Sequence, residues 1–472
     1  MEKKDILLIN PRYDDFYEGE YFPVFPPLGL AYIASMAQSQ SFTVTIYDAA
    51  VESENKQQIL NFLDTVQAKI VGISVYTPNL RTVKFIVEYI RHKKNTRGFP
   101  FIVLGGHHIH HYPLSVFKLG GDFGILGEAE TSFTQLCRYL IKKEGSLNEI
   151  PGLIYNRDGE TFINKICYPQ DINQIPFPAH NLLNNHKYFS LLIPSGYIGT
   201  IIISRGCPFR CNFCANSSFY EYRRRDVKNV LKEIENIISE HRIKYIEFVD
   251  DTFTYDYEFV VTLCELLLEK KLSIKWGCQT RADFLNAELL ALMRKSGCVK
   301  ISLGLETAVD KIRAIIGKHI KLETYRNIFK LLKINNIYSM ALIMLGLPTE
   351  RQCDMLKSLK AAKKLADMAI FQLNHVYPGT THFHELKEKG KITENIWDDY
   401  MNYHADYPYY IPEDLSLKQL NLFLKRSYIE FYFRPTYFLK WINKIQSLNQ
   451  LNNFIKVAKR IFTFKVRFKK QL

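Results

Sequence analysis

The sequence predicts a mixed α/β protein: an N-terminal parallel sheet of Rossmann or flavodoxin type, a partial barrel of six strand–helix repeats, and a mainly helical C-terminal region. Three observations carry this. Short β-branched runs alternate with helix-length segments from the start to about residue 145, as in a parallel sheet covered by helices. Turn signals then cluster at Pro151-Gly152, Asp158-Gly159 and Pro176-Phe177-Pro178, marking a boundary. A second series of strands follows. These divide the chain into residues 1–145, a connector with a small hairpin at 146–195, the barrel at 196–385 and a helical region at 386–472.

In the first region the expected strands are Ile6 to Asn10, Thr43 to Asp48, Ile70 to Ser74, Phe101 to Gly105 and Asp122 to Leu126. Ligands on such sheets bind beyond the carboxyl ends of the strands. Two of those ends are marked, by Ser74-Val75-Tyr76-Thr77-Pro78 and by Gly105-Gly106. The hydroxyls of Ser74 and Thr77 can hydrogen-bond a ligand, and the two glycines let one approach the backbone. The barrel strands are expected at Tyr197 to Ser204, Lys244 to Val249, Ile274 to Gln279, Val299 to Leu305, Tyr338 to Leu345 and Ala369 to Tyr377. Two further repeats, needed for a closed barrel, are not evident.

A hydrophobic content of 47% with 23% charged residues excludes a disordered or fibrous class. Met-Glu-Lys-Lys-Asp leads directly into the first strand, with no long apolar segment before it, so a cytoplasmic location is expected. The net charge of +14 is concentrated late: after Glu430 there are ten Lys and Arg and no Asp or Glu. Leu451, Phe454, Ile455, Ala458, Ile461 and Phe462 share one helical face there, with Lys456, Lys459 and Arg460 away from it. This basic amphipathic pattern fits a tail that docks, dangles in solvent or makes peripheral contact with an anionic membrane.

Cys207, Cys211 and Cys214 form a CxxxCxxC run directly after the first barrel strand. Three thiolates on one loop can hold three corners of a 4Fe-4S cluster, leaving the fourth iron open for chemistry. A structural zinc site would want a fourth ligand and usually a second CxxC, which the chain lacks. The other six cysteines are scattered singly and read as small buried hydrophobes.

The cysteine spacing, with Phe213 before the last cysteine and the loop at the end of a barrel strand, resembles the radical S-adenosylmethionine (SAM) superfamily. That resemblance implies SAM on the open iron and its reductive cleavage to a 5′-deoxyadenosyl radical. It also implies an external electron donor such as flavodoxin or ferredoxin. The first domain looks like the cobalamin-binding domain fused to many of these enzymes. It has 30 residues between Ser74 and Gly105, with Phe25-Pro26-Pro27-Leu28-Gly29-Leu30 and Gly127-Glu128-Ala129-Glu130 as further similarities. Cobalamin is then expected near Ser74, Thr77, Gly105 and Gly106. The chain departs from one pattern: Asn10-Pro11-Arg12-Tyr13-Asp14-Asp15 stands where some cobalamin proteins have Asp-x-His-x-x-Gly. No histidine from that loop is therefore expected on cobalt, and a domain that has lost its ligand is the alternative. His107, His108, His110 and His111 follow the glycine pair and read as loop or cobalamin-edge contacts rather than a metal site.

The same resemblance assigns Asp250 or Asp251 to the SAM amino group, Arg281 to its carboxylate, and Ser302 and Glu306 to its methionine or ribose. The competing readings are a helix N-cap for either aspartate and a surface salt bridge for Arg281. The implied activity is methylation of an unactivated carbon of a small-molecule or lipid-like substrate, the methyl group coming from cobalamin and a second SAM restoring it. A cyclase or oxidative rearrangement is the alternative within the family, and a non-catalytic iron–sulfur or zinc protein the alternative outside it. Neither further cluster cysteines in the first domain nor a basic RNA-binding β-domain is evident, so a nucleic-acid partner is not expected.

Overall fold

A computed structural model describes residues 2–14, 25–53, 55–97, 100–188, 197–218, 221–393 and 395–435, with 437, 447, 451, 452 and 455. The amphipathic tail expected around Leu451 to Phe462 lies largely outside the described residues.

The first sheet has the order β2-β1-β3-β4-β5-β6-β7, with β1 (Glu2–Asn10), β2 (Val44–Asp48), β3 (Val66–Ser74), β4 (Phe101–Gly105), β5 (Phe123–Ile125), β6 (Leu153–Arg157) and β7 (Glu160–Ile163). The first five strands are parallel. Ile6 to Ile9 are buried without interruption, which is what a parallel strand covered on both faces requires. Helices Leu28–Ser39 and Glu130–Cys137 supply one apolar layer, and Lys56–Leu63 and Leu80–Arg97 the other. The strand order reverses between β1 and β3, the position at which such sheets bind ligands.

The hairpin expected in the connector is present, turning at Asp158-Gly159, but β6 pairs antiparallel with β5 and so extends the first sheet. The chain also returns to this sheet after the barrel. Trp397, Tyr400 and Met401 of helix Ile396–Met401 join its second apolar layer.

The barrel is an open sheet of six parallel strands in the order β15-β14-β13-β12-β11-β8. These are β8 (Tyr197–Ile201), β11 (Ile243–Phe248), β12 (Lys275–Thr280), β13 (Cys298–Glu306), β14 (Tyr338–Leu345) and β15 (Met368–Leu373). The first expected barrel strand divides, because the chain leaves β8 and re-forms as a short antiparallel ribbon of β9 (Ser204–Arg205) and β10 (Arg223–Arg224). The sixth ends early, at Leu373, and beyond it His375 forms an isolated antiparallel bridge with Tyr409. Along β14 burial alternates residue by residue. Ala341, Ile343 and Leu345 pack under the outer helices, leaving Met340, Leu342 and Met344 on the half-open inner face. Helix Leu417–Tyr432 covers β15, with Tyr428 Oη donating to the Phe371 carbonyl at 3.0 Å. No described helix is long and apolar enough to cross a membrane.

Candidate functional site

The cysteine loop leaves the ribbon at Gly206 and is anchored by its two aromatics. Phe213 packs against Ile312, Ile316 and Leu347, and Phe209 meets Tyr255 and Phe284 edge-on. All three cysteines are half-buried. Cys207 Sγ lies 3.8 Å from Thr252 Oγ1, and Cys211 Sγ 4.0 Å from the Gly317 carbonyl. Burial pushes the Cys211 thiol up, and the Cys214 thiol up to about 12 with Asp251 adding to it. Iron binding therefore has to drive their deprotonation. Among the described residues no three His, Cys, Asp or Glu side chains converge as a single metal ion would require. A cubane does not ask for that, since each thiolate binds a different iron. Three soft donors on one half-exposed loop fit the cluster.

The residues assigned to SAM surround this loop in unequal ways. Asp250 is turned inward: it accepts from the Ile203 N–H at 3.1 Å and from the Ser204 N–H and hydroxyl at 2.7 and 2.6 Å. Burial raises its carboxyl to about 7 against those donors. Asp251 is less buried and accepts from Asn216 Nδ2 at 2.7 Å, two residues past Cys214. Arg281 pairs bidentately with Asp283 at 3.0 and 2.7 Å, and its guanidinium stacks 3.7 Å above the Phe209 ring. Ser302 is buried on β13.

Glu306 has a left-handed backbone, φ 58°, which disfavours a side chain. Its carboxylate is held by Lys318 Nζ at 2.9 Å, both groups being buried. Lys318 faces two opposing influences: burial works against its charge, and Glu306 more than restores it. Gly304 is bare because a Cβ there would collide with Glu306 and Lys318. The glycine thus makes room for an ion pair of the protein itself.

At the first sheet, Ser74 and Gly105 are register partners at the ends of β3 and β4. A Cβ at Gly105 would meet only the Ile125 carbonyl at 3.6 Å, so open space lies beside it. Gly106 has φ +109°, and a Cβ there would sit 2.8 Å from the Val75 carbonyl. Its bareness is a demand of the turn. Thr77 is buried, with Oγ1 3.1 Å from His108 Nδ1. Burial lowers His107 to about 4 and His108 and His110 to about 3, so these imidazoles are neutral. In the loop after β1, Asp14 is fully occupied: it accepts from the Thr82 N–H and hydroxyl at 2.8 Å each and from Tyr400 Oη at 2.6 Å.

The two regions meet at a cavity of about 240 Å³. Tyr76, Thr77, His107 and His111 line it from the first sheet, and Ala215, Asn216, Tyr377 and Pro378 from the barrel. His111 bridges them, its Nε2 3.3 Å from the Ala215 carbonyl and its ring over Gly379 where a Cβ would stand. An uncharged, aromatic-lined space bordered by the residues that follow β3 and the Gly105-Gly106 pair fits an edge of a corrin. Sequence reasoning gave no role to Lys318, Asn216 or Tyr377, whereas His107 and His111, read as loop or cobalamin-edge contacts, do line the cavity.

Known proteins share the domain order and the fold. The family model "B12 binding domain" matches residues 19–137 and "Radical SAM superfamily" residues 201–362. The chain is 29% identical to an uncharacterized methyltransferase of Pyrococcus horikoshii over 447 residues, 93% of this chain and 95% of that one. It is 28% identical to the anaerobic magnesium-protoporphyrin IX monomethyl ester cyclase of Rubrivivax gelatinosus, over 88% of this chain and 75% of that one. Its fold is similar to that of the radical SAM methyltransferase TsrM of Kitasatospora setae, solved with cobalamin and a 4Fe-4S cluster bound. The TM-score is 0.71 at 16% identity, over 90% of this chain and 91% of that one. The cofactors of these paired domains are a 4Fe-4S cluster, SAM and cobalamin. With a B12 binding domain followed by a radical SAM domain, both folded as the sequence predicts, the chain belongs to the cobalamin-binding radical SAM superfamily.

Proposed function

We propose that this enzyme methylates an unactivated carbon of a small-molecule or lipid-like substrate. The observation that carries the reading is the cavity between the ends of β3 and β4 and the residues just past Cys214. A substrate there would be within reach of both cofactor sites. When bound, the cluster and SAM supply a 5′-deoxyadenosyl radical and cobalamin supplies a methyl group.

The chain's own residues hold and shield these groups. Asp251, Arg281, Ser302 and Glu306 are the polar contacts we assign to SAM, with Asp250 acting one step back by fixing the backbone that leads into the cysteine loop. Ser74, Thr77, Gly105 and Gly106 form the edge for cobalamin. Met340, Leu342 and Met344 present an apolar inner wall that keeps water from a reactive carbon. A flavodoxin or ferredoxin supplies the electron. The ten basic residues after Glu430, with no acid among them, favour an amphiphilic substrate met at an anionic surface.

The reading is tested by incubating the anaerobically reconstituted holoenzyme with SAM, a reductant and a metabolite extract. A product heavier than its precursor by one methylene unit supports methylation. The cyclase relative favours a second reading, oxidative ring closure, in which the product is lighter by hydrogen.

A further inference from the structure

The cysteine loop is closed at its base by the β9–β10 ribbon, in which Arg205 and Arg223 are directly paired. Both arginines reach out of the barrel to one turn of the first domain, that following β5. Arg205 pairs with Glu128 at 2.8 Å and with Glu130 at 2.6 Å. Arg223 pairs with the same Glu128 and donates to the Pro169 carbonyl at 2.7 Å. All four side chains are largely covered, at 11%, 9%, 6% and 9% exposure for Arg205, Arg223, Glu128 and Glu130.

The turn is itself fixed. Gly127 has φ +73°, its space is closed by Tyr168 at 2.9 Å, and its N–H donates to His110 Nδ1 at 3.2 Å. His110 stands on helix His107–His111, whose His107 and His111 line the interdomain cavity. One continuous chain of contacts therefore runs from the cobalamin side of the cavity, through His110 and Gly127, to both ends of the cluster loop. A buried ion pair adds little stability compared with a well-packed apolar replacement. Its directional geometry, two guanidinium forks on two carboxylates, fixes position.

We propose that Glu128 and Glu130 are positioning residues that latch the base of the cluster loop to the cobalamin-binding domain and thereby set the separation of the two metal centres. The proposal rests on the cofactor set and is independent of whether the reaction is methylation.

The test uses the reconstituted holoenzyme and the isosteric variants Glu128→Gln and Glu130→Gln. Iron and cobalamin content are measured first, then the spin–spin interaction between Co(II) and the reduced cluster by electron paramagnetic resonance. The latch predicts retained cofactors and an interaction that is broadened or weakened, more in Glu128→Gln, which faces two arginines, than in Glu130→Gln, which faces one. If Glu128→Gln loses its cluster, Glu130→Gln, which leaves the Arg223 contact intact, carries the test alone. A spectrum identical to the parent's overturns the proposal. So does loss of cofactors in both variants, which would make the carboxylates determinants of loop folding rather than of spacing.

Discussion

Asp250 and Ser204 are joined twice, the carboxylate accepting from both the backbone N–H and the hydroxyl of Ser204 at the entrance to the cysteine loop. Asp250→Ala would leave the Ile203 and Ser204 N–H groups buried without an acceptor, at about 1–3 kcal/mol each. Asp250→Asn keeps one acceptor oxygen. Iron retained per chain after reconstitution should fall steeply in the alanine variant and less in the asparagine variant, with melting temperature following the same order.

The two adjacent glycines should behave differently. Gly105 has room for a side chain, whereas Gly106 combines a left-handed φ with a carbonyl in the way. Gly105→Leu should fold normally and fail to take up cobalamin, read by absorbance. Gly106→Ala should lose stability whether or not cobalamin is present, by at least the 1–2 kcal/mol of a left-handed side chain.

Lys318→Met would strand the Glu306 carboxylate in the barrel interior. Loss of one partner of a buried pair costs about 3–5 kcal/mol. Glu306→Leu combined with Lys318→Met should recover much of that loss in denaturant unfolding while remaining impaired in SAM binding. Full recovery of both would remove Glu306 from the SAM site.

Glu350 accepts from the Gly346 and Leu347 N–H groups at 2.8 and 3.1 Å, and burial raises its carboxyl from 4.5 to about 8. The native state thus binds the proton more tightly than the unfolded chain. Stability from this group is complete below about pH 4.5 and is lost as pH rises to about 8, by roughly 1.4 kcal/mol for each unit crossed. Glu350→Gln mimics the protonated acid and should flatten that part of the pH–stability profile. An unchanged slope would show that Glu350 is ionised in the native protein.

What the sequence made legible was local. Ile6 to Asn10 and Tyr338 to Leu345 advertise strands through continuous and β-branched apolar runs, and the cysteine triplet carries its chemistry in its spacing. What it hid depends on distant partners. Asp14 meets Tyr400 across 386 positions, and Arg223 meets Glu128 across 95; no period or motif links them. At Gly304 the space a side chain would need is taken by the ion pair of Lys318 with Glu306, which no local pattern announces. The hairpin at Asp158-Gly159 was visible as a hairpin, but pairing with β5 is decided by an edge elsewhere in the chain.

The most direct test of the account is to count what becomes of SAM. The anaerobically reconstituted, cobalamin-loaded enzyme turning over with a reductant and an extract containing its substrate should form 5′-deoxyadenosine and S-adenosylhomocysteine in comparable amounts. Replacing any one of Cys207, Cys211 or Cys214 by Ala should abolish the 5′-deoxyadenosine. Formation of 5′-deoxyadenosine alone by the intact enzyme would contradict methyl transfer, and its persistence in a variant lacking all three cysteines would contradict the radical chemistry itself.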